Sequence, residues 1–177
     1  MKKLILIIIL FPLITIAQEK ERYSRAYLGL MLHDMEQPGI SLVNSFGVNQ
    51  YIGIGAGVDI TSYKDGLMVP VYADLRVKYP IHDFAPYAFG QLGFQLYNND
   101  VPLGINMTGV PATTKAKGKY FYGGGIGASY KLGKVGVFLQ YTQRAYHFKY
   151  TPVDINGRSI TPDNPDNVGI LTAGLVF

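Results

Sequence analysis

In the stretch VPVYADLRVKY, apolar and polar residues alternate with a period of two. Val69, Val71, Ala73, Leu75, Val77 and Tyr79 share one face, and Pro70, Tyr72, Asp74, Arg76 and Lys78 share the other. The alternation predicts a strand. It recurs in about eight segments of roughly ten residues, near Arg25 to His33, Gly39 to Asn49, Tyr51 to Tyr63, Leu67 to Tyr79, Ala85 to Tyr97, Lys119 to Leu132, Lys134 to Phe148 and Val168 to Phe177. Beyond the N-terminal leader no apolar set falls at helical spacing, so the expected class is all-β.

The connections alternate in length. Asn49–Gln50, Pro80 to Phe84 and Leu132–Gly133–Lys134 read as tight turns, whereas His33 to Pro38, Ser62 to Gly66, Asn98 to Gly118 and Lys149 to Asn167 are longer. The last two, rich in Pro, Gly, Asn, Asp and Thr, are longer than a compact soluble domain usually carries. Short turns on one rim and long loops on the other predict an eight-stranded antiparallel up-and-down transmembrane β-barrel, with both termini on the short-turn side.

Sorting each segment by parity shows which face meets lipid. One set is aliphatic and uncharged: Ala26, Leu28, Leu30 and Leu32; Ile52, Ile54, Ala56, Val58 and Ile60; Ala88, Leu92, Phe94 and Leu96; Val135, Val137, Leu139 and Tyr141. The opposite set mixes glycine with charge and amide: Arg25, Asp59, Asp74, Arg76, Lys78, Gln91, Gln95, Lys119, Lys131, Gln140 and Arg144, among Gly53, Gly55, Gly57, Gly123, Gly125 and Gly127. A soluble barrel of lipocalin type would bury the aliphatic set and leave a bare glycine surface. A membrane barrel does the reverse. Slipping Val69–Tyr79 by one residue would put Arg76 and Lys78 in hydrocarbon, at roughly 2–4 kcal/mol each near the midplane. The aliphatic face is therefore expected outside, and the charged face within the lumen. Tyr51, Tyr79 and Tyr130 are expected in an aromatic girdle near the short turns, and Tyr63, Tyr97, Tyr120, Tyr146 and Tyr150 in a second girdle near the long loops.

Composition agrees with this picture. Among 177 residues, 48% are apolar and 16% charged, with 21 Gly, 14 Tyr and neither Trp nor Cys, which excludes a disordered chain and favours sheet. Lys2 and Lys3, an apolar run from Leu4 to Ile16, and small residues ending at Ala17 predict an export signal over residues 1–17, cleaved after Ala17, followed by one barrel domain over 18–177. The run is too short for a retained membrane helix, and no Cys follows for a lipid anchor. Loss of Lys2 and Lys3 lowers the formal charge from +4 to +2, which gives no argument for nucleic-acid binding.

With the strands placed, the sequence resembles the small eight-stranded outer-membrane barrels of OmpA/OmpX type, often labelled porin-family or outer-membrane beta-barrel proteins. The resemblance is carried by YIGIGAGVDI, VPVYADLRVKY, APYAFGQLGFQL, YFYGGGIGASYKLG and the ending GILTAGLVF. It implies a location in the outer membrane of a diderm bacterium and contact with the lipid bilayer and lipopolysaccharide. It also implies escort by periplasmic chaperones and recognition by the outer-membrane assembly machinery. Leu175 and Phe177 match the family's insertion signal, while Thr172 stands where Gly is common. The family motif is informative about architecture and nearly silent about activity.

Candidate chemistry is sparse. Arg25, Asp59, Asp74, Arg76, Lys78, Gln91, Gln140 and Arg144, with Lys131, form the expected interior network. Eight strands leave a bore just wide enough for side chains, so a paired network that plugs the lumen is favoured over a small-solute pore. GIGAGV and GGGIGA lack the following helix that a nucleotide-binding loop requires. His33 with Asp34, and His147, sit near the expected outer rim. A lipopolysaccharide acyl-modifying enzyme would need a Ser placed beside such a His, and none stands at matching spacing. The loop DINGRSITPDNPDN suits turn chemistry better than calcium ligation. The expectation is a monomeric barrel without catalysis, metal or cofactor, whose loops 98–118 and 149–167 make its contacts.

Overall fold

The computed structural model describes residues 24–34, 36–63, 66–105, 111–150, 153–155, 158–160 and 165–177. The expected signal sequence 1–17, with Ala17, lies outside them. The strands are β1 (Arg25–His33), β2 (Gln37–Gly47), β3 (Ile52–Tyr63), β4 (Gly66–Lys78), β5 (Phe84–Leu96), β6 (Asn98–Ile105), β7 (Pro111–Leu132), β8 (Val135–Tyr150), β9 (Val153–Ile155), β10 (Arg158–Ile160) and β11 (Asp166–Val176). Eight of them, β1 to β5 with β7, β8 and β11, close an all-antiparallel barrel in which each strand pairs with the next along the chain. The seam joins β1 to β11, from Tyr27 opposite Val176 to His33 opposite Ile170. Beyond it, Ala26 and Phe177 exchange two backbone hydrogen bonds of 3.1 and 2.9 Å. A closed ring leaves no unpaired strand edge, as a lipid environment requires.

The short turns have local causes. Asn49 Oδ1 accepts from the backbone N–H groups of Tyr51 and Ile52, both at 2.8 Å, which folds the chain back between β2 and β3. Ile81 and Phe84 exchange backbone hydrogen bonds around His82, whose φ is 54°. Gly133 turns β7 into β8 at a φ of 70°, a conformation that costs glycine nothing.

At the opposite end the structure extends the strands beyond the sequence-based bounds. The stretch expected as a loop from Asn98 to Gly118 carries β6 and the first part of β7, paired from Asn98 opposite Lys117 to Ile105 opposite Pro111. This hairpin stands on the barrel rim: β6 pairs with β7 alone, and the hairpin part of β7 meets β8 through Ala116–Gly118, its pairing to β5 beginning only at Tyr120. No lipid face constrains it, so the apolar alternation that marks the other strands is absent and its pairing leaves no sequence signature. Within the other long connection, β9 and β10 form a small separate hairpin.

The faces follow parity. Ile54, Leu75, Leu92, Ile126, Leu139 and Leu175 are exposed on the outer wall, while Asp59, Asp74, Arg76, Gln91, Thr142 and Arg144 are buried inside. Tyr51, Tyr79 and Tyr130 face outward near the short turns, and the first two rings stack with centroids 6.5 Å apart. The expected second girdle is different. Only Tyr120 faces outward; Tyr63, Tyr97 and Tyr146 are buried in the lumen, because they share parity with Asp59, Gln95 and Arg144 on their own strands. The side chain of Tyr150 lies outside the described residues.

Glycines on the inner wall make room for rings. Gly57 on β3 stands opposite Tyr72 on β4, and a Cβ at position 57 would overlap the Tyr72 ring. A Gly57→Val substitution therefore pits strand propensity, which favours valine, against overpacking. Overpacking is expected to win by about 1–3 kcal/mol. A lower urea midpoint for the refolded barrel checks it.

Candidate functional site in the barrel lumen

The lumen is built from side chains that four strands bring to one axis. Asp74 and Arg76 lie two residues apart on β4 and so point the same way. Arg76 Nε donates to Asp74 Oδ1 at 2.6 Å. Gln91 stands directly opposite Asp74 on β5 and donates from Nε2 to Asp74 Oδ2 at 3.0 Å. The Arg76 guanidinium carbon lies 4.1 Å from the ring centre of Tyr27, with those of Tyr87 and Phe89 each 5.1 Å away. Arg76 Nη1 has no hydrogen-bond acceptor among the described residues. The electron-rich ring faces supply attraction to the cation instead.

A second ion pair lies nearer the long-loop end. Arg144 on β8 reaches across to Asp59 on β3, donating from Nη1 to Oδ2 at 2.6 Å. Its Nε donates to Gln91 Oε1 at 3.0 Å, and its Nη1 also approaches the Tyr146 hydroxyl at 3.2 Å. Tyr72 donates to Asp59 Oδ1 at 2.9 Å. Gln91 thus bridges the two pairs, giving one hydrogen-bonded column: Arg76, Asp74, Gln91, Arg144, Asp59, Tyr72. Both carboxylates are paired and hydrogen-bonded, the condition under which buried charge is tolerated. Without its partner, either charge would be left in a low-dielectric interior.

Rings cover the column on the long-loop side. Tyr63 stacks on Phe148 with centroids 5.6 Å apart, and Tyr97 meets Phe148 edge-on at 5.5 Å. Phe121 and Tyr146 lie 5.3 Å apart above Arg144. Tyr63 also donates to Asp166 at the start of β11. His33 is held between Thr61 Oγ1, 2.9 Å from Nδ1, and the Tyr146 hydroxyl, 3.1 Å from Nε2.

Of the residues expected in the interior network, Asp59, Asp74, Arg76, Gln91 and Arg144 are brought together in the column. Gln140 is buried too but stands apart from it, accepting from the Tyr87 hydroxyl at 3.1 Å. Arg25 and Lys78 are half-buried at the short-turn end, below Arg76. Lys131 and Lys119 are exposed, which corrects their interior assignment. Each stands at an end of the membrane-spanning part of β7, where water is within reach.

The three rim residues separate. His33 is buried inside, Asp34 is exposed and accepts from the Gly169 N–H at 3.0 Å, and His147 faces outward, stacked on Tyr120 with centroids 4.4 Å apart. No group of three potential metal-ligating side chains converges among the described residues. Leu175 and Phe177 point outward at the end of β11, and Thr172 is buried against the lumen. Sequence reasoning missed Tyr63, Tyr97, Tyr146 and His33 as lumen residues, although parity counted from Asp59, Gln95, Arg144 and Tyr27 finds all four.

No protein-family model and no curated protein matches the chain by sequence. Solved structures do match by fold. Outer membrane protein AlkL, determined in lipid bilayers, aligns at a TM-score of 0.59 and 12% identity, covering 91% of this chain and 92% of that one. Neisserial surface protein A aligns at 0.51 and 17% identity, covering 86% and 92%. The N-terminal barrel domain of Pseudomonas aeruginosa OprF aligns at 0.50 and 12% identity, covering 90% and 100%. At such identities the likeness concerns the fold. With its aliphatic outer wall, the chain is an eight-stranded transmembrane β-barrel of the outer-membrane type.

Proposed function

We propose that this barrel is a non-enzymatic outer-membrane protein, structural or surface-interacting, whose lumen is closed to solutes. The observation that carries the reading is the column from Arg76 to Tyr72, with aromatic rings stacked above it. A solute path would have to break two buried ion pairs. The contacts of the protein are then made by the connections at 98–118 and 149–167, projecting from a rigid scaffold toward surfaces, sugars or lipopolysaccharide. Export through the leader ending at Ala17, and assembly through the outward Leu175 and Phe177, belong to the same reading.

Two measurements test it. The refolded mature chain should run differently on a detergent gel with and without boiling, as folded small barrels do; identical bands would count against a membrane barrel. In a planar bilayer its conductance should match that of protein-free lipid. Steady channels that vanish on unfolding would favour the small-solute pore instead.

A further inference from the structure

The outward face of β7 and β8 changes chemistry along the barrel axis. On β8 it runs through Val137, Leu139, Tyr141, Gln143 and His147 to Lys149; on β7 it runs through Ile126, Tyr122 and Tyr120 to Lys119, Lys117 and Lys115. Aliphatic wall gives way to hydrogen-bonding aromatic and amide groups. These give way to four exposed lysines at the long-loop end.

Register brings the lysines together. Lys117 stands directly opposite Lys149, and the neighbouring pair Gly118–Phe148 has its ring buried, so both lysines face out. Like charges directly opposite across antiparallel strands repel. On its other side Lys117 faces Asn98, and Lys115 faces Asp100. The other acids at this rim whose side chains are described lie elsewhere: Asp34 and Glu36 in the β1–β2 connection, and Asp166, which bonds to Tyr63. Among the described residues the ion pairs are Asp74–Arg76 and Asp59–Arg144, so none of the four lysines is ion-paired. Beneath them His147 stacks on Tyr120 and lies tilted toward Tyr122, and Tyr141 donates to Gln143 at 2.9 Å.

We propose that this wall binds lipid A, the membrane anchor of lipopolysaccharide, with its two phosphates on Lys115, Lys117, Lys119 and Lys149. The sugar rings then lie at the level of Tyr120, Tyr122 and His147, and the acyl chains lie along Ile126 and Leu139. Four cations gathered on two neighbouring strands, with Lys149 beside Lys117, suit a ligand carrying two phosphates better than a single phospholipid phosphate. Phosphate would also relieve the repulsion between Lys117 and Lys149. The inference rests on the outer-membrane reading above, in which the long-loop end faces the lipopolysaccharide leaflet.

The test uses the refolded barrel in neutral detergent and a fluorescent bisphosphorylated lipid A, with dephosphorylated lipid A and phosphatidylglycerol as competitors. Wild type should prefer the bisphosphorylated form by roughly tenfold or more, as expected for a few charge-assisted hydrogen bonds. That preference should weaken with salt. The double variant Lys117→Glu/Lys149→Glu should lose it, and Lys117→Arg/Lys149→Arg should keep it. Equal affinity of wild type and the glutamate variant would overturn the proposal. So would equal competition by phosphatidylglycerol, which would mark a generic cationic surface. The gel shift on boiling, read on the same samples, separates these outcomes from failure of the barrel reading itself.

Discussion

Replacing Arg144 with methionine is expected to lower the stability of the barrel by about 3–5 kcal/mol, the cost of leaving one partner of a buried ion pair uncompensated. Arg144 touches Asp59, Gln91 and Tyr146, so its loss strands the Asp59 carboxylate in the lumen and frees the amide oxygen of Gln91. Urea titration of the refolded protein, read by the boiling-dependent gel shift, measures the effect. The double variant Asp59→Asn/Arg144→Met should recover much of the loss, because it removes both charges rather than one. A single variant as stable as wild type would mean that the lumen is wet enough to solvate Asp59. In that event the closed-lumen reading would fail with it. The same variants, tested in a planar bilayer, show whether the column also resists solute passage.

Leu75→Arg is expected to cost about 1–3 kcal/mol in lipid vesicles, the penalty for a basic residue on the lipid face between the interface and the bilayer midplane. Leu75 is 49% exposed, and at such a position on a soluble protein the change would stay within roughly 0.5 kcal/mol. The solvent alone separates the two outcomes. Leu75 pairs with Ile54 on β3 and Gly90 on β5 and lies on the short-turn half of β4, so the new side chain can relieve part of its cost only by snorkelling toward that interface. Folding yield into vesicles against denaturant gives the number. An unchanged midpoint would place water, not hydrocarbon, against the outer wall.

Period-two alternation was enough to locate the membrane-spanning strands. Val69–Tyr79 carries its register on its surface: a slip of one residue would exchange Leu75 for Arg76 in lipid, so composition and pairing cannot be separated. The short turns were legible for a similar reason, since Asn49 and Gly133 have conformational preferences that act locally. The β6–β7 hairpin was not. Above the bilayer both faces of a hairpin can be polar, and its backbone pairing needs no apolar partner. The tyrosines show a third case. Position along the barrel axis places Tyr63, Tyr97 and Tyr146 in a girdle, but inward and outward alternate at every residue, and a ring near the rim can satisfy either side.

Which charges would be interior could be inferred from one strand at a time, because each strand presents its own two faces. Which charge meets which could not. Asp59 and Arg144 are 85 positions apart, and their 2.6 Å contact exists only because closure of β1 onto β11 brings β3 and β8 to face each other across a narrow bore. The same holds for Gln91 as the bridge between two ion pairs, and for Lys117 opposite Lys149 on the outer wall. Alternation along a strand is a one-dimensional property that hydrocarbon and water sort directly; pairing across the lumen and between neighbouring strands is a property of the closed ring.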